Sequence, residues 1–174
     1  MRELILGGTR SGKSALAEEL ALASGLAVTY LATAEAGDAE MRERIRHHRE
    51  RRPPQWGVAE VGCDLAGELV KRAAVDHCLL VDCLTLWLTR LLIDPDPGRL
   101  ARESEALLRV LPELPGRIIM VSNETGLGVV PLGKISRRFC DESGRLHQQL
   151  AKVCDRVVLT VAGLPQVLKG ERIK

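Results

Sequence analysis

Aromatic side chains are scarce in this sequence. Tyr30, Trp56, Trp87 and Phe139 make up 2% of its 174 residues, too few for the stacking platforms on which single-stranded nucleic acid binders rely. An excess of one charge is lacking too: 25 basic against 23 acidic residues leave a net +2. This excludes a whole-surface attraction for nucleic acid or anionic lipid, so any anion site must be local. The five cysteines (Cys63, Cys78, Cys83, Cys140, Cys154) contain no C-x-x-C pair. Neither a disulfide framework nor a zinc site is indicated, and a reducing, cytoplasmic setting is expected. No apolar run approaches the ~18 to 20 residues of a membrane span. The stretch from Met1 to Arg10 is too short and glycine-broken for a secretory leader.

What remains is an ordinary globular composition, 45% hydrophobic and 28% charged, in a chain of the length of one domain, 1–174. Such a chain buries ~70% of the surface its unfolded form exposes and needs no staple. Glu3 to Leu6 is a short apolar run stopped by Gly7-Gly8, and Ser14 to Ala23 carries helical spacing, giving strand, glycine loop and helix. Further buried strands are expected at Ala27 to Ala32, Cys78 to Val81, Ile118 to Val121 and Arg156 to Val161. Helices are expected at Leu65 to Ala74, Leu84 to Leu92, Leu100 to Leu111 and Lys134 to Val153. Strands alternating with helices predict an α/β fold with a mainly parallel sheet and helices on both faces.

Gly7-Gly8-Thr9-Arg10-Ser11-Gly12-Lys13-Ser14 fits G-x-x-x-x-G-K-[ST] between a predicted strand and a predicted helix, the context that makes the pattern a phosphate loop. Glycines let backbone N–H groups converge on a triphosphate, Lys13 reaches the outer phosphates, and the Ser14 hydroxyl ligates Mg²⁺. The second metal-side carboxylate is expected at the end of a buried strand, where Cys78-Leu79-Leu80-Val81 runs into Asp82. Between 42 and 52 lie six arginines and the pair His47-His48. On a helix His48 joins Met41 and Ile45 on a narrow stripe facing protein, whereas His47 lies between Arg44 and Arg51. Their charge favours a neutral imidazole, which beside phosphate-gripping arginines could attack phosphorus. A solvated basic helix with two surface histidines is the alternative reading of this segment. The segment Asn123-Glu124-Thr125-Gly126-Leu127-Gly128-Val129-Val130-Pro131 follows a predicted strand, at the edge where ligands of parallel sheets bind; a plain flexible connection is its alternative.

Taken in order, the phosphate loop, Tyr30-Leu31-Ala32-Thr33-Ala34, Asp38-Ala39-Glu40-Met41, Arg44-Ile45-Arg46-His47-His48, Arg52-Pro53-Pro54-Gln55-Trp56, Asp82-Cys83-Leu84-Thr85 and the loop from Ser122 to Gly128 resemble one family. It is the bifunctional adenosylcobinamide kinase/adenosylcobinamide-phosphate guanylyltransferase. The resemblance implies a RecA-like P-loop fold and a homotrimer. It implies phosphorylation of adenosylcobinamide with ATP or GTP, then transfer of GMP from GTP to adenosylcobinamide phosphate with release of pyrophosphate. It also implies a guanylylated His47, and nucleotide contacts at Gly7 to Ser14, Ala32, Thr33, Ala34, His48, Arg49, Glu50, Arg51, Glu60 and Asp82, with Mg²⁺ at Ser14 and Asp82. Two other functions fit a phosphate loop alone: a small-molecule kinase without a covalent intermediate, and a GTP-binding regulator without turnover. The histidine pair separates them from the first, because a kinase lid needs arginines but no nucleophile.

Overall fold

The computed structural model describes residues 1–33 and 53–173. The elements in chain order are β1 (Arg2–Gly7), α1 (Lys13–Leu22), β2 (Ala27–Ala32), β3 (Gly57–Glu60), α2 (Leu65–Arg72), β4 (His77–Asp82), α3 (Leu84–Ile93), α4 (Arg99–Val110), a 3-10 turn (Leu111–Glu113), β5 (Arg117–Asn123), α5 (Lys134–Val153), β6 (Arg156–Val161) and β7 (Leu164–Lys169). The strands form one sheet in the order β3-β2-β4-β5-β1-β6-β7. All neighbours are parallel except β6 and β7.

Because successive strand residues point to opposite faces, each central strand feeds two cores. Leu4 and Leu6, Leu79 and Val81, and Ile118 and Met120 face one side, where Leu65 and Leu69 of α2, Trp87 and Leu88 of α3, Leu107 of α4, and Leu146 and Leu150 of α5 cover them. Ile5, Leu80, Ile119 and Val121 face the other, against Ala17, Leu20 and Ala21 of α1 with Tyr30 and Trp56. Helices on both faces are thus as expected. The first strand, β1, is central, paired to β5 on one side and β6 on the other.

Two strands lie outside the sequence expectation. β3 and β7 are edge strands whose residues are mostly exposed, so neither shows the apolar run of a buried parallel strand. β7 holds Pro165, which an edge strand tolerates. It returns from β6 through Ala162-Gly163, both with positive φ (52° and 79°), the conformation of a tight two-residue hairpin turn. Helix α4 ends at Val110, with Pro112 turning the next residues into the 3-10 turn.

At the amino edge of the sheet, Glu3 is fully buried. It accepts hydrogen bonds from Arg117 Nε at 2.6 Å and Arg156 Nε at 2.7 Å, so the buried charge is paired from both sides.

Candidate active site

The glycine loop leaves β1 at its carboxyl end and wraps into α1. A Cβ on Gly7 would lie 2.4 Å from Ser11 Oγ and 2.6 Å from the Thr160 carbonyl oxygen, so no larger residue fits. A Cβ on Gly8 would meet nothing within 4 Å; this side of the loop is open to a ligand. Gly12 caps α1 in the left-handed region (φ 95°). Behind the loop, Gly163 of the β6–β7 turn donates its N–H to the Ser11 carbonyl at 2.8 Å. Ser11 Oγ is buried with no hydrogen-bond partner among the described residues.

Lys13 is buried at the first turn of α1 and donates from Nζ to the Gly8 carbonyl at 3.1 Å. Burial lowers its pKa and the charge of Asp82 opposes that shift. An ammonium held this way is desolvated and aimed across the mouth of the loop, where phosphate oxygens would replace lost water. Ser14 follows it, half-buried.

Asp82 ends β4 and accepts a hydrogen bond from the Tyr30 hydroxyl at 3.1 Å. Thr33 closes the adjacent β2. Its N–H bonds to the Asp82 carbonyl at 3.4 Å, and its hydroxyl donates to the Cys83 carbonyl at 2.7 Å while accepting the Cys83 N–H at 2.8 Å, across a cis Asp82–Cys83 peptide bond. Thr33 thereby fixes the position of the strand end that carries Asp82. Ala32 pairs with Asp82 on one side and Glu60 on the other. Glu60 is exposed at the end of β3. With ~4.8 Å between strands, Asp82 lies about 10 Å along the sheet from β1, Thr33 about 14 Å and Glu60 about 19 Å. Ala34, His47, His48, Arg49, Glu50 and Arg51 lie outside the described residues.

The loop at Glu124, expected at the ligand edge, belongs to a cluster whose link to His147 the sequence did not show. β5 lies between β1 and β4 and ends in Ser122-Asn123-Glu124. The Glu124 N–H donates to the Gly7 carbonyl at 3.0 Å, tying this loop to the first residue of the phosphate loop. His147 of α5 is buried, with Nε2 2.8 Å from Ser122 Oγ and Nδ1 3.7 Å from Glu124 Oε2. Burial lowers its pKa, and Glu124 opposes that shift. The Thr85 hydroxyl is 3.4 Å from Ser122 Oγ and accepts the Asn123 N–H at 2.7 Å. In sequence His147 occupies one position of an apolar helical stripe with Leu146 and Leu150, the pattern of an ordinary packed residue.

The sequence model of the family described as "Cobinamide kinase / cobinamide phosphate guanyltransferase" matches residues 3–168. The chain belongs to this family. It is 65% identical to the "Bifunctional adenosylcobalamin biosynthesis protein CobP" of Pseudomonas aeruginosa, over 98% of this chain and 99% of that protein. It is 35% identical to the "Bifunctional adenosylcobalamin biosynthesis protein CobU" of Salmonella typhimurium, over 97% of this chain and 100% of that one. The phosphate loop, Asp82, the histidine pair and the loop at Glu124 all fall within the matched stretch. Among solved structures, a Pyrococcus horikoshii protein covers 98% of this chain and 87% of its own length at TM-score 0.55 and 12% identity. The RadB recombinase covers 91% and 73% at TM-score 0.52 and 18% identity. At these identities the likeness concerns the fold, that of a RecA-like P-loop NTPase.

Proposed function

We propose that one nucleotide site built on this phosphate loop serves both reactions of the family. In the first, ATP or GTP phosphorylates adenosylcobinamide. In the second, GMP passes from GTP to adenosylcobinamide phosphate by way of His47, with pyrophosphate released. The observation that carries this reading is the buried Lys13 at the mouth of an open glycine loop, facing Asp82 from a neighbouring part of the same sheet edge. Lys13 grips and neutralises the outer phosphates of a triphosphate, and Asp82 stands where it would hold the metal ion that shares them. The nucleotide extends from there toward Ala32, Thr33 and Glu60, and Ala34, His48, Arg49, Glu50 and Arg51 are its further contacts.

The donors fit Mg²⁺. Ser14 and Asp82 offer a hydroxyl and a carboxylate oxygen, hard ligands suited to an ion that keeps waters and shares its shell with substrate phosphates. When bound, the ion neutralises charge on the phosphate oxygens. Tyr30 holds one Asp82 oxygen, leaving the carboxylate oriented for this role.

Imidazole suits the covalent step because it attacks phosphorus when neutral and leaves again readily. The Nε or Nδ lone pair of His47 forms the bond to the α-phosphorus as the α–β bridging P–O bond breaks, and pyrophosphate departs with the electron pair. Incubation with α-labelled and γ-labelled GTP, Mg²⁺ and no acceptor tests this. Stable label from the α position alone, mapped to His47, is expected; no label from either position refutes the covalent route.

A homotrimer completes the reading. The stretch after β5 exposes Leu127, Val129, Val130, Leu132 and Ile135, each 61 to 97% accessible, far more apolar surface than one loop ordinarily leaves in water. Light scattering should give three times the chain mass. Among the described residues no helix is long and apolar enough to cross a membrane, and a cytoplasmic setting suits nucleotide substrates.

A further inference from the structure

The cluster around Glu124 has no part in the steps above, yet it is built at the phosphate loop. Glu124 is fastened to Gly7 through its backbone, and β5 sets it between Lys13 and the strand bearing Asp82. Its side chain is 22% accessible. One carboxylate oxygen accepts the Gly126 N–H at 2.5 Å and the other faces His147 Nδ1 at 3.7 Å. Each carboxylate oxygen has two lone pairs, so one remains for a ligand at the open edge.

Behind it, the direction in which each hydroxyl both accepts and donates runs from the Asn123 N–H to Thr85, to Ser122, to His147 Nε2. That direction leaves the histidine proton on Nδ1, pointing at Glu124. At 3.7 Å this is electrostatic orientation rather than a full hydrogen bond. A buried polar chain ending on a solvent-accessible carboxylate is an arrangement for holding a base in one place.

We infer that Glu124 is the general base of the kinase step, and that His147 and Ser122 are positioning residues behind it. The Glu124 carboxylate takes the proton of the adenosylcobinamide hydroxyl as its oxygen bonds to the γ-phosphorus. The β–γ bridging P–O bond breaks and the nucleoside diphosphate leaves with the electron pair. Asp82 is unsuited to this task, being held by Tyr30 and committed to the Lys13 side. Glu60 lies four strands from β1.

The inference rests on the kinase activity proposed above, and the two reactions supply its control. In guanylyl transfer the acceptor is a phosphate monoester, whose second pKa near 6 leaves its oxygen ionised at neutral pH; no base is needed. Glu124→Gln should lower kcat for phosphorylation by about 10²-fold or more, with KM for the nucleotide within about threefold. Transfer of GMP to ready-made adenosylcobinamide phosphate should stay within about threefold, which also shows that the variant is folded and binds GTP. His147→Leu should lower only the kinase kcat, by about tenfold, and His147→Asn, which keeps an N–H at the Nδ1 position, should recover most of it. A Glu124→Gln enzyme that phosphorylates at the wild-type rate, or slows equally in both reactions, overturns the assignment. Equal slowing of both reactions by His147→Leu overturns the positioning role. Wild-type protein without phosphorylation activity refutes the kinase reading itself, and the role of Glu124 with it.

Discussion

Adjacent glycines in the phosphate loop should respond differently to the same methyl group. At Gly7 the new Cβ would meet Ser11 Oγ at 2.4 Å and the Thr160 carbonyl at 2.6 Å. Ser11 can rotate away, but Thr160 O is backbone of β6, a strand paired with β1 along its length. Relief therefore requires β1 and β6 to part by several tenths of an ångström, an overpacking cost of about 1–3 kcal/mol. In a domain of this size that lowers Tm by about 3–10 °C. At Gly8 the methyl enters open space, so Gly8→Ala should leave Tm within about 2 °C. It occupies the side from which phosphate approaches, and nucleotide affinity should fall at least about tenfold, or ~1.4 kcal/mol. Calorimetric melting of the free proteins and titration with a nonhydrolysable GTP analogue measure the two quantities separately. Wild-type melting for Gly7→Ala would show that β6 is not a rigid wall. Wild-type affinity for Gly8→Ala would show that the ligand does not approach from the open side.

Lys13→Met should reduce both reactions at least about 10²-fold while leaving thermal stability unchanged or raised, because a desolvated ammonium is exchanged for an apolar chain of similar length; a collapse in Tm would contradict this. Asp82→Asn retains an acceptor for the Tyr30 hydroxyl, so melting should be preserved and turnover should fall with a higher Mg²⁺ requirement, seen in a metal titration. His47→Asn should lose the GMP adduct and guanylyl transfer while His48→Asn keeps some of both, and peptide mapping that places GMP on His48 would reverse the assignment. Glu3→Gln leaves two guanidinium groups facing a neutral amide at a fully buried position, costing about 3–5 kcal/mol. Denaturant unfolding should show the loss and nucleotide binding at 25 °C should survive, since Glu3 lies at the amino edge of the sheet.

The sequence made legible what is periodic and local. The buried strands β1, β2, β4, β5 and β6 stand out as apolar runs because both their faces are covered, and α5 runs over Lys134–Val153 as its spacing predicts. Edge strands carry no such signal: β3 is exposed at three of its four positions. The phosphate loop was readable because its chemistry is contiguous, eight residues in a row. Of the Glu124 cluster only the loop itself was readable, since Thr85, Ser122 and His147 come from three separate elements and meet only after the sheet forms. Thr33 is similar, appearing as one small polar residue after β2 while its bonds reach Cys83, just past the end of β4.

The turn at Ala162-Gly163 has a consequence for synthesis. The glycine loop is encoded near the start of the chain, but its back wall is the Gly163 N–H on the Ser11 carbonyl, and its strand β1 is flanked by β5 and β6. A nascent chain halted before Arg156 carries the whole G-x-x-x-x-G-K-S motif with no β6 beside it and no turn behind it. Emerging at ~5–20 residues per second, such a chain spends most of its time on the ribosome with this motif unsupported. Competence for nucleotide should therefore arrive late and abruptly, with release of the final hairpin, and stalled chains ending on either side of that hairpin should differ sharply in retention on immobilised GTP.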